Sequence, residues 1–235
     1  MKDIHVLSFE GRNIRDVSHL VNAVNYVQKY DRAIVVINAF DQTRNKLLAI
    51  TDTAVSGNLD VAHALSDEIY DLYYDLIQKA LESHPNPKNT LILETTDKKL
   101  EEYNFRLKKL LGYADKMHSH QDRWVDSIVP IGDQMAAYVL SQTALSWGIL
   151  TQYVEATKLI KTDNEYGKAN PNTMSIYQHC SSLETLIENG FTPIIGGGYG
   201  ISLEKSMSLL GPDGLDITAR LITGALEAKS IEFIS

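Results

Sequence analysis

Ala33-Ile34-Val35-Val36-Ile37-Asn38-Ala39 is an apolar run that closes on an amide. No charge interrupts it, so it reads as a strand buried on both faces. Working outward, residues 4–9 upstream and residues 149–154 and 192–195 downstream have the same character, and residues 230–234 are a fifth candidate. Between these runs apolar residues recur at helical spacing. Val17, Leu20, Val21, Val24 and Val27 form one stripe, Val61, Leu65, Ile69, Leu72 and Leu76 a second, and Leu100, Tyr103, Leu107, Leu111 and Ala114 a third. Ala136, Val139, Leu140 and Trp147 continue the pattern, as do Ile176, Leu183, Leu186 and Ile187. Apolar strands separated by helices predict an α/β fold, a mostly parallel sheet flanked by helices on both faces.

Residues 58–127 interrupt that alternation. Two or three helices follow one another there, with a break at Pro85-Asn86-Pro87. They read as a helical insertion standing off the sheet, within one domain spanning residues 1–235. No Pro/Ser/Gly-rich linker, internal repeat or low-complexity tract divides the chain. In open parallel sheets ligands sit at the carboxyl ends of the strands, which directs attention to residues 9–16, 38–45, 155–166 and 196–203.

Composition narrows the function. The chain has 22 Lys and Arg against 30 Asp and Glu, a formal charge of -8. No basic surplus is available to hold a polyanion, which argues against general nucleic-acid binding. No apolar run is long enough to cross a bilayer, and the first residues carry no apolar signal core. One cysteine, Cys180, rules out an internal disulfide and any multi-cysteine metal site. The expectation is a soluble cytoplasmic protein with no membrane partner.

Several local patterns have a chemical and a plain reading. Ile194-Ile195-Gly196-Gly197-Gly198-Tyr199-Gly200 runs a strand into a glycine turn. Its amides could converge on an anion, or the glycines could serve a tight turn with positive φ. His118-Ser119-His120-Gln121-Asp122 has the look of a metal cluster but no third ligand at useful spacing; solvated histidines between helices are the better account, and no metal is expected. Cys180 and His179 are adjacent on a helical pattern and point apart, so packing explains the thiol. Lys98, Lys99, Arg106, Lys108 and Lys109 mix with Glu101 and Glu102 over an apolar stripe, a solvated helix face.

The strand-end segments carry more. Leu159-Ile160-Lys161-Thr162-Asp163-Asn164-Glu165-Tyr166-Gly167-Lys168-Ala169-Asn170-Pro171-Asn172 is similar to a loop of the form (R/K)TD-x-x-(F/Y)G-x-A-x-P. Ile131-Gly132-Asp133-Gln134-Met135 stands where a GE helix start is expected. Val35-Val36-Ile37-Asn38-Ala39 and Asn45-Lys46-Leu47-Leu48 match the flanks of VVxSAM-x-GVTN-x-LL. Gly197-Gly198-Tyr199-Gly200 stands at GF-x-G, and Leu210-Gly211-Pro212-Asp213-Gly214-Leu215-Asp216 at LGRGGSD. In this order and spacing the chain resembles the aspartokinases of the amino-acid kinase family. The resemblance implies an αβα sandwich with a helical insertion, and by analogy a homodimer.

The departures bear on activity. The family opens with KFGGTS, where the lysine stabilises the transferred phosphate; here Ser8-Phe9-Glu10-Gly11-Arg12-Asn13 places Ser8 at that lysine and Glu10 at a glycine. Losing a cation and gaining a carboxylate both oppose phosphoryl transfer. The threonine of GVTN aligns with Arg44 and its glycine with Gln42; the substrate-clamping arginine of GRGGSD aligns with Pro212, and its serine with Leu215. Proline cannot make a bidentate carboxylate clamp. Where the sequence ends, at Ile231-Glu232-Phe233-Ile234-Ser235, the family strand runs on into TDVDG and the nucleotide-holding half, so most of the ATP pocket is expected to be missing.

The resemblance thus implies a catalytically degenerate aspartokinase-like protein that binds a small anionic metabolite or a protein partner. The alternative is a divergent aspartate kinase that phosphorylates a carboxylate. No cofactor is expected, with ATP and Mg entering only under that alternative. The implied vestigial pocket comprises Ser8, Glu10, Arg12, Arg44, Asn45, Asp133, Lys161, Thr162, Gly198, Gly200 and Asp216. Arg12 and Arg44, which replace threonines, either offer a new anion site or pair with Glu10 and Asp41 and close the pocket.

Overall fold

The computed structural model describes residues 2–117 and 122–234. The chain runs β1 (Lys2–Phe9), α1 (Val17–Val27), β2 (Ala33–Ile37), α2 (Thr43–Val55), α3 (Leu59–Ser83), α4 (Asn89–Met117), α5 (Asp122–Ile128), α6 (Pro130–Ser146) and β3 (Thr151–Val154). It continues through α7 (Ala156–Leu159), α8 (Thr173–Glu188), β4 (Thr192–Gly196), β5 (Tyr199–Ile201), β6 (Met207–Leu209), α9 (Gly214–Leu226) and β7 (Ala228–Ile234). Five strands form one parallel sheet in the order β3-β4-β2-β1-β7. The α/β reading of the sequence is the architecture observed.

The two-residue period of the strands builds two cores. Leu7, Phe9, Val35, Ile37 and Ile194 face a cluster with α1 and α6, whereas Val6, Ile34, Val36 and Ile195 face α8 and α9. Cys180 is buried in the second cluster, and burial pushes its thiol up to about 12, consistent with packing rather than reactivity.

Several boundaries differ from the sequence reading for identifiable reasons. β2 ends at Ile37 because the next two residues bond elsewhere: Asn38 Oδ1 accepts from Gly11 N–H (2.7 Å), and Ala39 N–H donates to Asp133 Oδ1 (2.8 Å). β3 starts at Thr151 because Gly148 (φ 85°) and Ile149 complete the end of α6, with Ile149 N–H donating to Ala144 O. The glycine turn leads into an antiparallel β5–β6 hairpin that its sequence does not announce. Helices α2 and α9 carry no stripe singled out above.

Residues 59–128 supply α3, α4 and α5, and α3 and α4 pack chiefly on other helices, α2 and α6 among them, rather than on the strands. Ile69, Tyr73, Leu76, Leu100, Leu107 and Leu111 extend the first cluster, packed on α2 and α6. His118, Ser119, His120 and Gln121 lie outside the described residues, so the His118–Asp122 pattern has no structural account. No helix of the described residues is long and apolar enough to cross a membrane.

Candidate functional site

The carboxyl ends of β1, β2 and β4 lie side by side, with Phe9 opposite Ile37 and Ile37 opposite Gly196. Helices α2, α6 and α9 begin near them, which brings the positive ends of their dipoles towards the same region. A cavity of about 310 Å³ opens between these loops. Glu10 and Arg12 enter it after β1, Asn38 and Asp41 after β2, and Arg44 and Asn45 from the first turn of α2. Asp133 reaches it from α6, and Pro212, Asp213, Leu215 and Asp216 from the start of α9.

Glycines allow this convergence. A Cβ on Gly11 would lie 2.7 Å from Ala39 O and closer still to Asn38 O, and Gly11 O accepts from Asp41 N–H (3.1 Å). The loops after β1 and β2 are therefore clasped backbone to backbone. At the triple glycine the anion-cradle reading fails, because the amides are already spent: Gly197 N–H donates to Ile37 O (2.7 Å) and Gly198 N–H to Thr218 Oγ1 (3.1 Å). Close packing is the role instead. A Cβ on Gly197 would meet Leu215 at 2.7 Å, one on Gly214 would meet Gly198 Cα at 2.7 Å, and Gly198 has φ 99°.

Asp133 is the buried acid of the cavity. It is 1 % exposed; Oδ1 accepts from Ala39 N–H, and Oδ2 has no hydrogen-bond partner. Burial pushes its carboxyl up to about 7, opposed by the Ala39 hydrogen bond and the charge of Arg44. The two arginines part ways. Arg12 binds Glu10 through Nε (2.8 Å) and Nη2 (2.7 Å), as the closing reading requires. Arg44 forms no ion pair among the described residues; its charge acts on Asp133 and on Asp126.

Glu10, Arg12, Arg44, Asn45, Asp133 and Asp216 thus meet around one cavity, and the other implied residues do not line it. Ser8 is buried within β1, its Oγ without a partner. Lys161 Nζ donates to Thr157 O (2.7 Å), and Thr162 Oγ1 bonds Ser208 Oγ (2.6 Å) beside the hairpin. Gly200 packs on Ile160 O, where a Cβ would stand at 2.6 Å, and Gly198 lies behind Asp133, packed on Gly214.

Two supporting residues escaped the sequence reading. Tyr73, from α3, accepts from Phe40 N–H (3.0 Å), donates to Gly132 O (3.2 Å) and stacks on Phe40 at 5.2 Å, bracing the loop after β2. Asp126, fully buried, accepts from Gly167 N–H (2.9 Å) and Leu209 N–H (2.9 Å), tying the 161–172 loop to β6. Asp126→Ala leaves both amides unpaired and is expected to lower stability by about 2–4 kcal/mol. Urea unfolding measures that loss, and proteolysis should open the 161–172 loop first. No group of three or more His, Cys, Asp or Glu among the described residues is arranged to hold a metal ion.

Residues 5–235 match the amino acid kinase family. The chain belongs to that family. An aspartokinase of Thermus thermophilus is 31% identical over 111 residues, covering 47% of this chain and 26% of that protein. Escherichia coli aspartokinase III, solved with aspartate and ADP, superposes with a TM-score of 0.85 at 19% identity over 98% of this chain and 48% of its own. The Clostridium acetobutylicum aspartate kinase gives a TM-score of 0.72 at 14% identity, over 99% and 47%. The chain is an aspartokinase-like amino acid kinase domain spanning about half the length of these solved kinases.

Proposed function

We propose that this amino acid kinase domain binds a small amino-acid zwitterion in the 310 Å³ cavity and does not carry out phosphoryl transfer at kinase rates. The observation that carries the reading is Arg44, a guanidinium without an ion pair among the described residues, in the same cavity as the unpartnered Oδ2 of buried Asp133. Arg44 suits a ligand carboxylate, and Asp133, Asp213 and Asp216 suit its ammonium. Glu10, Asp41, Asp133, Asp213 and Asp216 outnumber Arg12 and Arg44, and Arg12 is already engaged by Glu10. That surplus opposes a purely anionic metabolite and a nucleotide triphosphate alike. Ser8 in place of the family lysine removes a further cation from the reaction.

The alternative is aspartate kinase chemistry, favoured by the likeness to a kinase solved with aspartate and ADP. Calorimetry with aspartate and other amino acids, with and without Mg-ATP, separates the two. Amino-acid binding should be measurable without nucleotide, and Arg44→Ala should weaken it about 10–100-fold, the loss of a charge-assisted bidentate contact. Aspartate-dependent ADP release at about 1 s⁻¹ or faster would establish the kinase instead.

A further inference from the structure

A second concavity, of about 570 Å³, lies where α4, α5 and the β5–β6 turn meet. Its charged lining is Arg106, Arg123 and Lys205, and no carboxylate lines it among the described residues. In a chain with 30 acidic and 22 basic residues this segregation is unusual. The cations are held by neutral groups where they are held at all. Arg106 Nη2 donates to Gln134 Oε1, and Arg123 Nη2 donates to Ser206 Oγ (2.8 Å). Glu204, next to Lys205, is turned towards Asn164 and Tyr166. Arg106 Nε and Trp124 Nε1 are buried N–H donors without partners. The remaining wall combines apolar Leu110, Met117 and Met207 with the hydroxyls of Ser127 and Ser206.

We propose that this concavity binds a small phosphomonoester with an apolar or aromatic body. Planar guanidinium forks match phosphate oxygens bidentately, and Lys205 adds a point charge. The methionines and the indole of Trp124 give the organic part a polarisable surface. A bare phosphate would leave that surface uncovered. The site is independent of the zwitterion cavity, since none of its lining residues lines the other.

Phenyl phosphate is the probe, with inorganic phosphate and phenol as comparators and tryptophan emission as the readout in a Trp147→Phe background. Trp147 stacks on His84 away from this site, so Trp124 remains the reporter. Phenyl phosphate should quench emission saturably at millimolar concentration and bind about tenfold tighter than inorganic phosphate. Arg123→Gln with Lys205→Asn should weaken it about tenfold or more at an unchanged melting temperature; asparagine suits the left-handed φ of 62° at position 205. The remote pair Lys79→Gln with Lys229→Gln removes the same net charge and should leave binding intact. Absence of saturable quenching, equal binding by phenol, or equal weakening by the remote pair would each overturn the proposal.

Discussion

Asp133→Asn is expected to stabilise the chain by about 2 kcal/mol above neutral pH and to remove much of the acid-side slope of its stability profile. The native carboxyl keeps its proton to about pH 7, whereas an unfolded aspartate releases it near pH ~4. Between those values the native state binds more protons than the unfolded state, so wild-type stability falls as pH rises and the loss is complete above pH ~7. Three pH units set a ceiling of about 4 kcal/mol. Asparagine avoids the buried charge and keeps a carbonyl for Ala39 N–H, but its amide group takes over the unpartnered position of Oδ2, which offsets about 1–2 kcal/mol. Urea unfolding of both proteins on either side of neutrality measures the difference; parallel pH profiles would show that Asp133 does not titrate this way. The same variant should weaken amino-acid binding most at high pH, where wild-type Asp133 is charged and meets the ligand ammonium.

Gly11→Ala is expected to have the opposite sign and a comparable size, a loss of about 3 kcal/mol or more. The added Cβ would press on two backbone carbonyls, Asn38 O and Ala39 O, which cannot turn away as a flexible side chain could. Relief requires parting the loops after β1 and β2, with loss of the bonds from Gly11 N–H to Asn38 Oδ1 and from Asp41 N–H to Gly11 O. Glu10, Arg12 and Asp41 move with those loops, so ligand binding should fall together with a melting temperature lowered by about 6–12 °C. Gly112→Ala is the matched control: it lies in α4 with open space at its Cβ, and alanine there should stabilise by about 0.5–1 kcal/mol. Equal effects from the two substitutions would mean that helix propensity, and not the loop clasp, sets the outcome.

The sheet was legible because its strands are apolar on both faces. A run such as residues 33–37 has no stable place except between two helical layers, and that choice of environment is local information. The motif order at the strand ends carried the family, and it also pointed to Glu10, Arg12, Arg44, Asn45, Asp133 and Asp216, which the fold gathers around one cavity. Lys161, Thr162 and Gly200 belong to neighbouring motifs, yet Thr162 and Gly200 serve packing at the β5–β6 hairpin and the Lys161 ammonium turns back to Thr157 O of α7, since adjacency in a motif does not say which way a loop turns.

Composition and spacing by themselves determined that this is an acidic, mostly parallel α/β chain, and the resemblance of its strand-end motifs to a known family added the aspartokinase-like reading. Only the tertiary structure decided that Arg12 pairs with Glu10 while Arg44 forms no ion pair among the described residues, although both arginines lie within three residues of a carboxylate. Only it assigned Tyr73 and Asp126, from helices α3 and α5, to brace loops far along the chain. The reason is physical: charge state and hydrogen-bond satisfaction depend on which distant elements exclude water from a group. Asp133 owes its raised pKa to burial where α6 meets the loop after β2, a contact across 94 residues of sequence.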